Sequence, residues 1–134
     1  MAIEVTCLCK KSKLEFNKVE LNVGACHCNT CRTWGGGPLM AVECGTAAKL
    51  SGDFISVYDS SEWAQRGFCG YCGTHLFYRL KLNQMYIVPV GLFDGQNMDF
   101  DFDYQIFVDQ QPSYYCFSNE TTNKTGAEVF AEFA

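Results

Sequence analysis

Cys26-His27-Cys28-Asn29-Thr30-Cys31 is preceded by Cys7-Leu8-Cys9 and followed by Cys69-Gly70-Tyr71-Cys72, and these three groups take seven of the chain's nine cysteines. A C-x-C or C-x-x-C unit delivers two sulfurs to one point with little backbone strain, and a soft, tetrahedral cation such as zinc prefers such a shell. Seven ligands are one short of two four-cysteine sites. The spacing therefore predicts one closed four-sulfur site and one three-sulfur site with an open fourth position, the feature that separates catalytic from structural zinc.

Disulfides are the competing reading of a cysteine-rich chain. The start, Met1-Ala-Ile-Glu-Val-Thr6, has neither the basic residues nor the apolar run of an export signal, so a reducing cytoplasmic location is expected. Nine is also an odd count, and C-x-C pairs are poorly spaced to bridge each other. Cys44 and Cys116 stand alone among apolar neighbours and read as buried, inert thiols. Cys44 as an eighth ligand is the alternative, and it would close the second site.

Alternation with period two runs through most of the remainder. Lys13-Leu-Glu-Phe-Asn17 and Val19-Glu-Leu-Asn-Val23 alternate in opposite phase, as one bulged strand or two strands broken near Lys18. Phe54-Ile-Ser-Val-Tyr58, Leu76-Phe-Tyr-Arg-Leu80, Met85-Tyr-Ile-Val-Pro89, Asp99-Phe-Asp-Phe-Asp-Tyr104 and Gln105-Ile-Phe-Val108 are further strands, rich in aromatic and β-branched residues. The chain reads as mainly β with few short helices, one around Ser60-Ser-Glu-Trp-Ala-Gln65 and one at Ala127-Glu-Val-Phe-Ala-Glu-Phe133. The polar stretch Asn119-Glu-Thr-Thr-Asn-Lys-Thr-Gly126 reads as a loop.

With 134 residues, 48% of them hydrophobic, the chain is expected to form a single domain, 1–134. A net charge of −5, with no basic run beyond Lys10-Lys11, argues against a nucleic-acid partner. No segment approaches the ~20 apolar residues of a membrane span.

On a strand, residues two apart share a face, so Cys7 with Cys9, and Cys26 with Cys28, would converge while the residue between them turns away. His27 is thereby assigned a structural role rather than a ligand role. His75 lies close enough to Cys72 to orient a thiolate, although a satisfied core or loop histidine is the default. Arg32 could clamp a carboxylate bidentately, with a plain surface arginine as the equal alternative. Trp34 and Tyr71 could wall a pocket, although aromatic residues in a β core are commoner, and Gly35-Gly36-Gly37 reads as a turn needing positive φ rather than a backbone approach to a ligand. Asp99-Phe-Asp-Phe-Asp103 lacks the glycine and glutamate of a calcium loop and reads as a solvated strand face.

Cys7-x-Cys9, then Cys26-His-Cys28-x-x-Cys31-Arg32-x-Trp34 running into Gly35-Gly-Gly-Pro38, then Phe68-Cys69-x-x-Cys72-Gly-Thr-His-Leu-Phe77 and Gln105-Ile-Phe-Val-Asp109, together resemble the glutathione-dependent formaldehyde-activating enzyme family, also called the centromere-protein-V-type domain. The resemblance runs from residue 1 to about 118. It implies a β-tent fold of small antiparallel sheets around two zinc ions. It also implies that Cys7, Cys9, Cys69 and Cys72 share a structural zinc while Cys26, Cys28 and Cys31 hold a catalytic one; the candidate substrate-binding residues beside it, Arg32 and Trp34, come from the reading of the residues alone. The implied activity is that of a carbon-sulfur lyase joining glutathione and formaldehyde as S-hydroxymethylglutathione, so the expected partner is a small thiol such as glutathione. The rival reading is a zinc-stabilised interaction domain with no catalysis. The tail after residue 118 matches nothing in the family pattern.

Overall fold

The computed structural model describes residues 2–133, which form eleven strands and two short α-helices. These residues gather into two compact units: one runs through Glu20 and resumes over Val42–Met98, and the other comprises Leu21–Ala41 and the chain from Asp99 onward. No helix among the described residues is long and apolar enough to cross a membrane.

In the first unit, β1 (Ile3–Thr6), β2 (Lys13–Phe16) and β5 (Ala48–Ser51) form a three-stranded antiparallel sheet. Strand β2 shows why its sequence chooses a strand: Leu14 and Phe16 are fully buried while Lys13 and Glu15 turn outward. Burying each of those two side chains stabilises by roughly 1.5–3 kcal/mol. An antiparallel meander follows, β6 (Ile55–Tyr58), β7 (Ala64–Cys69), β8 (His75–Leu80) and β9 (Tyr86–Pro89). Gly67 lies opposite Phe77 on β8, and an added Cβ there would fall 2.1 Å from the ring. Phe77 fills that place and meets Tyr86 edge-on at 5.1 Å.

In the second unit, β3 (Asn22–Cys26) leads into α1 (Asn29–Gly35) and the start of β4 (Leu39–Glu43), which pairs antiparallel with β3. Helix α1 ends at Gly36, whose φ of 87° places its N–H on the Arg32 carbonyl at 2.8 Å. Thus the glycine run does form a positive-φ turn. β10 (Asp101–Ile106) runs parallel to both β3 and β11 (Thr122–Lys124), a departure from the purely antiparallel expectation. The physical reason is connection length, because parallel neighbours require a long crossover and most of the first unit lies between β3 and β10 in the chain. Helix α2 (Gly126–Ala131) follows β11 and is capped by Thr125.

The predicted helix at Ser60-Ser-Glu-Trp-Ala-Gln65 is absent. Residues 61–63 bend, and Ala64 already opens β7, since the buried Ala64 and Arg66 fix strand alternation there. The expected loop at residues 119–126 contains β11, which is polar but joined through its backbone to β10.

Candidate metal centres

All nine cysteines are free thiols. Cys7 and Cys9 sit in the turn that ends β1, not on a strand, with Lys10 N–H on the Cys7 carbonyl at 3.0 Å and Lys10 at φ 68°. A matching turn closes after β7, where Gly73, at φ 84°, donates its N–H to the Cys69 carbonyl at 2.7 Å. The two turns bring the sulfurs of Cys7, Cys9, Cys69 and Cys72 within 4.8 Å of one another. Cys7 and Cys9 sulfurs are 3.5 Å apart, and those of Cys9 and Cys69 are 3.8 Å apart. Two ligands of a tetrahedral ion at about 2.3 Å stand about 3.8 Å apart, so this donor set fits zinc.

Hydrogen-bond donors aim at these sulfurs. Ser12 N–H donates to Cys7 Sγ at 3.3 Å. Thr74 Oγ1 accepts from Leu8 N–H at 3.1 Å, which leaves its own proton for Cys72 Sγ at 3.1 Å. That hydroxyl lowers the Cys72 thiol to about 5. The fully buried Ser12 hydroxyl, directed at Cys69, lowers that thiol, whereas desolvation holds Cys9 up near 12. A bound cation would favour the thiolate of Cys9 against that desolvation.

The second cluster combines a strand end and a helix start. Cys26 ends β3; Cys28 is the N-cap of α1, its Sγ accepting the Cys31 N–H at 3.3 Å; Cys31, in the first turn, is buried. Their sulfurs also lie within 4.8 Å of one another, and among the described residues no other cysteine, histidine or carboxylate joins them. The neighbouring Cys28 and Cys31 thiols, with burial behind them, push Cys26 far up, as three crowded sulfurs cannot all carry charge without a cation. Three thiolates and an open place again suit a borderline-soft metal.

His27 turns away from the sulfurs, fully buried between Tyr115 and Gln105. Arg32 is half-buried and gives its Nε to the His27 carbonyl at 2.9 Å. Trp34 is half-buried on α1. Tyr71 belongs to the first unit, where it is 62% exposed beside Phe54 and the Lys11 ammonium. Cys44 is buried as expected, donates towards the Val42 carbonyl at 3.7 Å, and is pushed up to about 12 by burial. Cys116, expected to be buried, is exposed: its apolar neighbours Tyr115 and Phe117 turn inward, which puts the residue between them outside. His75 is a satisfied histidine, Nε2 on the Phe77 carbonyl at 3.1 Å.

Ser12, Thr74, Gln105 and Tyr115 carry roles that the cysteine pattern did not point to. Thr74, two residues beyond the last cysteine of a C-x-x-C-Gly turn, had a readable signal, since turn hydroxyls bond locally. Ser12 and Tyr115 had none.

Residues 2–110 match the family described as glutathione-dependent formaldehyde-activating enzyme. An uncharacterized lyase of Schizosaccharomyces pombe is 36% identical over 129 residues, covering 94% of this chain and 93% of the relative. In three dimensions the chain resembles the crystal structure of a Rhodobacter sphaeroides protein, with a TM-score of 0.56 and 22% identity over 69% of this chain and 89% of that one. That likeness concerns the fold.

Proposed function

The chain belongs to the glutathione-dependent formaldehyde-activating enzyme family, and from that premise we propose that it is a carbon-sulfur lyase acting on thiol-aldehyde adducts, of the type that joins glutathione and formaldehyde. The observation carrying this reading is the three-sulfur cluster of Cys26, Cys28 and Cys31, to which no fourth donor is added among the described residues. Zinc held there would stabilise a substrate sulfur as thiolate, whether that sulfur is attacking a carbonyl or leaving carbon. Cys7, Cys9, Cys69 and Cys72 would hold a second, structural zinc, making two per chain.

The chain's own residues would do the rest. Cys28 and Cys31 are fixed by the helix start, which would hold their sulfurs ready for a metal ion. With its Nε held by the His27 carbonyl, Arg32 would offer its Nη groups to a carboxylate of the thiol substrate, and Trp34 on the same helix would wall the substrate. The family match runs through both units, and the chain passes between them three times, which supports one domain over 1–134.

Calorimetry on the zinc-loaded protein tests the reading. Glutathione should bind with release of about one proton at neutral pH, and S-methylglutathione at least tenfold more weakly. Arg32→Ala should weaken glutathione more than cysteamine, which has no carboxylate. Equal binding of the two glutathione forms, or binding of neither, would replace the lyase with a zinc-stabilised interaction module.

A further inference from the structure

His27 is the one residue between two sulfur donors of the open site, and each of its polar groups is engaged. Its N–H donates to the Ile106 carbonyl at 3.1 Å and its carbonyl accepts the Arg32 Nε–H at 2.9 Å. Its ring is held at 2.7 Å on both sides, Nδ1 by the Tyr115 hydroxyl and Nε2 by Gln105 Oε1. The Gln105 amide donates in turn to Thr121 Oγ1 at 2.8 Å, and that hydroxyl donates to Asn123 Oδ1 at 2.6 Å. Donors therefore run outward from Nε2–H, while Nδ1 meets the Tyr115 hydroxyl on the other side of the ring. The Tyr115 ring also stacks on His27 at 5.4 Å and 26°. A further tie comes from Gln110, whose Oε1 accepts the first amide of α1, at Asn29, at 2.9 Å.

Tyr115, Thr121 and Asn123 lie beyond the stretch that matches the family, 2–110. We propose that this C-terminal segment belongs to the site: Tyr115 and Thr121 are positioning residues that act through His27 and Gln105 to set the spacing of the Cys26, Cys28 and Cys31 sulfurs, and so the geometry of the open place. The reasoning is mechanical. With the backbone on both sides of His27 leading straight to a sulfur donor, a ring held at two nitrogens and a peptide held at two ends leave the pair little freedom to spread. The inference rests on the proposed function only in taking those sulfurs as metal donors.

Full-length protein carrying one equivalent of zinc is titrated with Co2+, reading affinity by chelator competition and the ligand-field absorption. Tyr115→Phe removes one hydroxyl. It should lower Co2+ affinity at the three-cysteine cluster by about tenfold or more and shift the absorption bands. Thr121→Val, which touches no cysteine, should shift both in the same direction by less, and it decides the matter should Tyr115→Phe not fold. Wild-type affinity and spectrum in the folded variants, or a lowered melting temperature with unshifted bands, would overturn the positioning role and leave the lyase reading standing. Failure of the wild-type protein itself to take up Co2+ after the first zinc would overturn both.

Discussion

His75 shows how one buried group imposes a pH limit. Desolvation lowers its pKa from 6.5 to about 4, so in the folded chain it stays neutral where the unfolded chain's histidine takes up a proton. The unfolded state thus binds more protons between these values, and stability must fall as pH drops from about 6.5 towards 4. The full shift corresponds to a loss of up to about 3 kcal/mol. Denaturant unfolding of His75→Gln at pH 7 and pH 5 should show a smaller drop than the wild type, and identical drops would contradict the burial argument. At this scale the cysteines were legible because thiolate spacing is a strong constraint on the backbone. Their supporting donors were not, since a hydroxyl such as Ser12 Oγ reaches a sulfur only through the path of the turn, which residue type does not encode.

At the scale of elements, α2 offers a direct measurement. Thr125 Oγ1 accepts the Glu128 N–H at 3.2 Å while Glu128 returns a carboxylate oxygen to the Thr125 N–H at 2.9 Å. Thr125→Ala should cost about 1 kcal/mol, seen as roughly fivefold faster hydrogen exchange of the α2 amides with β7 and β8 unchanged. Unchanged exchange in α2 would mean that its contacts to Phe107, such as the edge-on Phe130 ring at 5.7 Å, hold it without the cap. Strands β2 and β9 were readable in the sequence because each alternates buried and outward residues, and β8 because it is rich in aromatic and apolar residues. Helix α1 was not: only Cys31 on it is buried, so no apolar period exists to read. In β7 a buried Arg66 stands where alternation demands an apolar residue, and helix-forming neighbours suggested the wrong element.

For the whole molecule, the two clusters should differ in what they hold together. A metal joining Cys9 to Cys69 closes a loop of 60 residues, comparable to a crosslink of about 4 kcal/mol. Cys26 to Cys31 closes almost nothing. Cys69→Ser should therefore be insoluble or strongly destabilised, whereas Cys28→Ser should melt within a few degrees of the wild type; equal melting temperatures would refute the division into structural and functional sites. Which groups of cysteines share an ion could not be read from spacing, because that depends on which turns the sheets bring together. The division into two units was equally hidden, since each of them is assembled from two separated segments. The same separation has a consequence in time. His27 and Tyr115 are 88 residues apart, and at a synthesis rate of ~5–20 residues per second roughly 4 to 18 seconds pass between the emergence of one and that of the other. During that interval the nascent chain would present Cys26, Cys28 and Cys31 without the proposed clamp, open to capture by copper, which outcompetes zinc for such donors, and to oxidation. The form of this protein most vulnerable to thiol-reactive stress is thus the one still on the ribosome.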